Sequence, residues 1–91
     1  MTHRVVRVTL SGGLRSRPAA MFVSAANRYS SQLLLESGNK KINAKSIMGV
    51  LALGASEGDE MHIYASGSDE EAAAQMLADL LTGVVPVSTG A

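Results

Sequence analysis

Two short runs in this chain carry side chains that could handle an anion. In Gly13-Leu14-Arg15-Ser16-Arg17-Pro18, two guanidinium groups stand two residues apart at the mouth of a helix. Forked guanidinium groups match the oxygens of a phosphate or a carboxylate. Arginine stays protonated and offers donors but no lone pair, so neither residue can accept a phosphoryl group as a nucleophile. The second run is Lys45-Ser46-Ile47-Met48-Gly49. Its serine is placed to cap a helix by accepting a backbone N–H, which is worth ~1 kcal/mol. His3 and His62 are the only histidines. One lies at the chain start and the other on the outer face of a strand, so both are expected to be solvated surface side chains. Cysteine is absent, which excludes disulfides and thiolate metal sites and suits a reducing cytoplasm. No metal or cofactor is expected. Ser11-Gly12-Gly13 is a turn signal, too generic to serve as the phosphate cradle of a small α/β hydrolase.

The elements that must position these residues follow from hydrophobic periodicity. Residues 3–10 alternate, with Val6, Val8 and Leu10 on one face and Val5, Arg7 and Thr9 on the other, as in a half-buried strand. Ser16 is placed to cap a helix with Pro18 in its first turn, where a missing N–H costs nothing. That helix is expected to reach about Arg28 and to bury Ala19, Phe22, Val23 and Ala26. Residues 32–37 read as a strand with Leu33 and Leu35 inward. Gly38-Asn39 turns the chain into a short strand at 40–43. A short helix after Ser46 contains Ile47, Met48, Val50 and Leu51. Residues 60–66 form a fourth strand with Met61, Ile63 and Ala65 inward. Ser68-Asp69-Glu70-Glu71 has the spacing of a capping box, and a last helix buries Ala73, Ala74, Leu77 and Leu81 before Gly83 stops it. The order is β-α-β-β-α-β-α, an α+β two-layer sandwich. Residues 1–83 are expected to form one domain and 84–91 a frayed tail.

Bulk composition narrows the function classes. The 91 residues balance eight basic against eight acidic side chains, without a long run of either sign. Direct binding to nucleic acid is therefore not expected. No apolar stretch approaches the ~18–20 residues of a membrane span.

The two runs together resemble the signatures of the HPr family, the histidine phosphocarriers of the bacterial sugar phosphotransferase system. That family reads Gly-aliphatic-His-small-Arg-Pro where this chain has Gly13–Pro18, so Arg15 stands in place of the phosphate-accepting histidine. Lys45–Gly49 resembles the family's regulatory serine site and is intact. The resemblance extends to about Thr82. A chain that keeps the serine and lacks the histidine is similar to the catabolite-repression branch of the family. The resemblance implies an open-faced sandwich, with a four-stranded antiparallel sheet in the order 1-4-2-3 and three helices on one face. It implies a regulatory protein and not an enzyme. Ser46 would be phosphorylated by HPr kinase/phosphorylase, and the product would act as corepressor of the LacI-type catabolite control protein A. It implies a partner surface at Arg15, Arg17, Lys45, Ile47, Met48 and Leu51. The alternative is a degenerate phosphocarrier domain serving as a structural or metabolic-enzyme adaptor, without the serine switch.

Val5, Leu34 and Tyr64 point away from the expected core. In the family's strand order they neighbour one another on the open face of the sheet, which predicts a homodimer surface, with exchange of the first strand as one route.

Arg15 predicts that the chain takes up no acid-labile phosphate from phosphoenolpyruvate and enzyme I. The check is acid-labile labelling of the intact protein, and label on His3 or His62 would show the reasoning wrong.

Overall fold

Alternating apolar and polar residues form four strands, β1 (Thr2–Arg7), β2 (Gln32–Ser37), β3 (Lys40–Asn43) and β4 (Glu60–Ser66). Between and after them lie three helices, α1 (Ser16–Ala26), α2 (Ile47–Leu53) and α3 (Glu70–Leu81). The structure is a computed structural model that describes residues 1–10, 13–14 and 16–83, with the side chains of Ser16 and Arg17 left undescribed. The turn expected at Ser11-Gly12 and the fraying expected of residues 84–91 lie outside the described residues. All strand pairs are antiparallel, in the order β1-β4-β2-β3. This is the two-layer α+β sandwich expected from the element order, with the open face and strand order that the family resemblance implied.

One face of the sheet carries the core. Leu33, Leu35, Met61, Ile63 and Ala65 project from it as fully buried side chains. They meet Ala19, Phe22 and Ala26 of α1, and Ala73, Ala74, Leu77 and Leu81 of α3. Full burial of Phe22 alone contributes about 1.5–3 kcal/mol. The short α2 adds only Val50 and Leu53 to this layer.

β1 stops at Arg7, short of the expected Leu10, because the chain there turns to satisfy a helix end. The N–H groups of Thr9 and Leu10 both donate to the carbonyl of Leu81, each at 3.0 Å. The Thr9 hydroxyl donates to the carbonyl of Thr82 at 2.9 Å. Terminal carbonyls of a helix have no partner within it, and this segment supplies one for α3. Val8 remains buried, with its N–H on the Asp59 carbonyl at 2.8 Å.

The capping box expected at Ser68 does not form. Asp69 occupies the cap position of α3 without a side-chain bond to the helix. Its carboxylate instead grips the loop before β2, accepting from the N–H groups of Ser30 and Ser31 at 2.9 and 3.0 Å and from the Ser31 hydroxyl. These donors, the Ser31 hydroxyl first, pull the Asp69 carboxyl down to about 2. Glu70 is also lowered to about 2, chiefly by the Thr2 hydroxyl, then by the Met1 ammonium and the Gly67 N–H. The helix start thus ties down both β1 and the loop leading into β2.

Both carboxylates are held ionised by the fold, so the unfolded chain binds more protons as acid is added. Their contribution is complete above the ordinary carboxylate range, ~3.9–4.3, and fades as pH falls through it towards 2. Asp69→Asn is expected to flatten the acid limb of stability, read as urea midpoints between about pH 2 and 6. An unchanged slope would count against this assignment.

Candidate functional site

The site begins with a hydroxyl at the start of α2. Asn43 sets it up, since its side-chain oxygen accepts the N–H of Lys45 at 2.8 Å and its carbonyl accepts that of Ser46 at 3.1 Å. Ser46 is extended, with φ −106° and ψ 117°, and its Oγ accepts the N–H of Gly49 at 3.1 Å. This is side-chain capping of the kind its position predicts. Gly54 ends the helix in the left-handed conformation, φ 63°, with its N–H on the Val50 carbonyl. An αL glycine here closes the helix without the penalty of a Cβ.

Seven residues give α2 a length of about 10 Å. A helix so short buries one side and leaves the other bare. Met48 is 74% exposed, Leu51 43% and Ile47 37%. These form a ridge of large apolar side chains in water, one of them a flexible thioether suited to adaptable contacts.

α1 and α2 run in opposite directions along each other. At one end, Asn27 donates to the Lys45 carbonyl at 3.2 Å and the Lys45 ammonium donates to the Tyr29 carbonyl at 2.6 Å. At the other, the N–H of Leu14 donates to the Ala55 carbonyl at 3.0 Å. Gly13 makes this approach feasible. It has φ 69°, and a Cβ there would collide with the Ala55 carbonyl oxygen and lie 2.9 Å from Ser56 Cα. The loop bearing the arginine motif is therefore pinned to the end of α2 opposite Ser46. Arg17 is the second residue of α1, while Arg15 and the Arg17 side chain lie outside the described residues. Ser46 and the Gly13-Leu14 loop thus lie at opposite ends of α2. The Lys45 ammonium is held on a backbone carbonyl.

The second expected surface is the uncovered face of the sheet. Its cross-strand rows are His3–Tyr64–Leu34–Asn43 and Val5–His62–Glu36–Lys41. Val5 is 49% exposed, while Leu34 and Tyr64 are half-buried. Tyr64 is enclosed by polar neighbours. His3 stacks on it at 4.5 Å between ring centres, the Lys41 ammonium sits 4.3 Å from its centre, and its hydroxyl donates to Glu36 at 2.7 Å. That bond to Glu36 is the main cause of a raised phenol pKa. His3 and His62, expected to be separately solvated, are stacked and hydrogen-bonded at 2.9 Å. Sequence reasoning missed this contact; the strand register, with His3 opposite Tyr64 and His62 opposite Val5, is the signal that locates it.

Among the described residues, no group of three histidine, aspartate or glutamate side chains converges as a metal site requires. None of the helices there is long and apolar enough to cross a membrane.

Comparison with known proteins places these features in a family. The family described as "PTS HPr component phosphorylation site" matches residues 2–83. The chain is similar to the HPr-like protein Crh of Bacillus subtilis, 49% identical over 86% of this chain and 92% of the relative. Among solved structures, the phosphocarrier protein HPr of Bacillus anthracis superposes with a TM-score of 0.86 at 41% identity, covering 88% of this chain and 95% of that one. The B. subtilis Crh structure described as a domain-swapped dimer gives a TM-score of 0.75 at 46% identity, covering 93% and 98%.

Capping and ridge residues separate in their effect on stability. Ser46→Ala is expected to cost ~1 kcal/mol through loss of the cap, a fall in Tm of about 4–8 °C for a domain of this size. Met48→Ser should stay within about 0.5 kcal/mol of the parent. Thermal unfolding checks both, and a large loss at Met48 would make it a core residue.

Proposed function

The chain belongs to the HPr family, and from that premise we propose that it is a regulatory phosphoprotein of carbon catabolite repression in the cytoplasm. Phosphate is the signal it displays and not a group it relays. HPr kinase/phosphorylase phosphorylates Ser46, and the phosphorylated protein binds the LacI-type catabolite control protein A as corepressor. The repressor, not this chain, contacts DNA. The B. subtilis Crh structure, described as that of a catabolite repression protein, supports this reading. So does Arg15, which removes the nucleophile of a carrier while the serine run stays whole.

The observation that carries the proposal is the geometry around Ser46. Its hydroxyl caps α2 immediately beside Ile47 and Met48, both exposed. A phosphate there adds about −1.5 to −2 charge at a helix start, where first-turn N–H groups favour an anion. The fold stays intact and the surface beside the ridge changes sign. A partner lying along α2 would then meet apolar side chains with a phosphate at the start of the helix.

A homodimer is part of the same proposal. The swapped dimer of the B. subtilis relative supports exchange of an element between copies. In this chain β1 is the natural candidate, because it lies at the sheet edge and pairs with β4 alone.

Phosphate on Ser46 is expected to raise affinity for the purified repressor tenfold to several-hundredfold. That is the yield of one or two charge-assisted hydrogen bonds at ~1.5–3 kcal/mol each. Ser46→Ala should remove the response, and Met48→Asp should abolish docking while leaving the protein folded. Titration of repressor with both forms reads this directly. Equal affinity of the two folded forms would sink the corepressor reading and favour the adaptor.

A further inference from the structure

The two histidines meet across the seam between β1 and β4, on the uncovered face of the sheet. His3 Nε2 and His62 Nδ1 are 2.9 Å apart, with ring centres separated by 5.1 Å and planes inclined by 19°. A hydrogen bond between ring nitrogens needs one N–H and one lone pair. Two neutral rings meet that need, and so does a pair carrying one extra proton. Two imidazolium rings do not, because every nitrogen is then a donor and like charges face each other. We infer that His3 and His62 form a proton-operated clasp on β1, closed with at most one added proton and released by two.

Charged groups of both signs surround the pair. On β4, Glu60 Oε1 lies 3.5 Å from His62 Nε2, where it steadies one positive charge. Tyr64 of the same strand lies against His3. From β3, the Lys41 ammonium approaches the same tyrosine ring, adding positive charge nearby. From β2, Glu36 is engaged by the Tyr64 hydroxyl. On β1, Arg7 shares this face and donates to the Gly58 carbonyl at 2.7 Å. The Met1 ammonium is turned to Glu70 of α3, at 3.0 Å. Among the described residues, His3 has no carboxylate within ion-pair distance.

The closed clasp binds fewer protons than the open one. By linkage it weakens as pH falls through the range in which the open rings take up the second proton. Histidine is the side chain whose ordinary titration lies between about pH 5 and 8, and these are the only two histidines in the chain. Apart from the Arg7–Gly58 bond, the other side-chain ties of β1 run to α3, through Thr2 on Glu70 and Glu71 and Arg4 on Gln75 and Glu71. Glu70 stays ionised down to about 2, so its tie persists across that window. Opening the clasp frees the β4 edge for β1 of a second copy. This last step rests on the strand exchange proposed above, whereas the clasp itself does not.

Native-state hydrogen exchange on dilute monomer between about pH 5 and 7.5, corrected for the intrinsic chemistry of exchange, tests the clasp. The open population of β1 should rise by up to about tenfold per pH unit below the second protonation, while amides of β2 and β3 hold steady. His62→Gln and His3→Gln keep a side chain able to hydrogen-bond but not to titrate here, and each should abolish the pH response. If one variant fails to fold, the other decides. A response equal in the parent and a folded variant overturns the clasp, as does a β1 insensitive to pH. Mixing isotopically heavy and light protein reads the consequence, with mixed dimers forming faster at about pH 5.5 than at 7.5. A pH-responsive β1 without mixed dimers at either pH upholds the clasp and removes strand exchange.

Discussion

Everything in this fold follows from having one apolar layer and too little chain for a second. A domain of this size buries about 60–65% of the surface its unfolded chain exposes. The three helices share one face of the sheet, and Phe22, Leu33, Leu35, Ile63 and Leu77 fill the space between. The opposite face is left to water. α2 must then contribute Val50 and Leu53 to the layer while leaving Ile47, Met48 and Leu51 outside it. Both surfaces open to partners are by-products of that single constraint.

The fold also separates rigid from adjustable parts. The α2 ridge is held at both ends, by the Lys45–Tyr29 and Asn27–Lys45 bonds on one side and by Leu14–Ala55 on the other. Under the proposed switch at Ser46, a partner would therefore meet a surface already in place, with little ordering on docking. β1 is tied in a different manner, through side chains on both faces of the sheet. Charged groups of α3 hold its inner face and an imidazole pair its outer one. The ridge is suited to recognition, the strand to rearrangement.

What could be read in the sequence was what local pattern determines. β2, β3 and β4 fall where alternation and turn residues place them. The Ser46 cap was legible because its partner is three residues away. The end of β1 was not, because its terminator is the carbonyl of Leu81. The capping box at Ser68 failed because its members are engaged elsewhere, the Ser68 hydroxyl with Ser30 and Glu71 with Thr2, 38 and 69 residues distant. Likewise the exposure of Ile47, Met48 and Leu51 follows from a helix too short to bury every side. The histidine contact spans 59 residues and depends on register, which composition and period cannot supply.

The edges of the sheet are unequal, and this limits how copies can add to one another. β3 has only four residues and carries Lys40 and Lys41, both exposed. Short, lysine-bearing edges resist pairing with another chain. β1, at the other edge, is longer and presents Val5 to water. Addition from β1 of one molecule to β3 of the next would leave a free edge at each end and could propagate into fibres. Addition through β1 alone is isologous and consumes the only receptive edge on each molecule. A chain with one willing edge stops growing at two, where a symmetrically open sheet would polymerise.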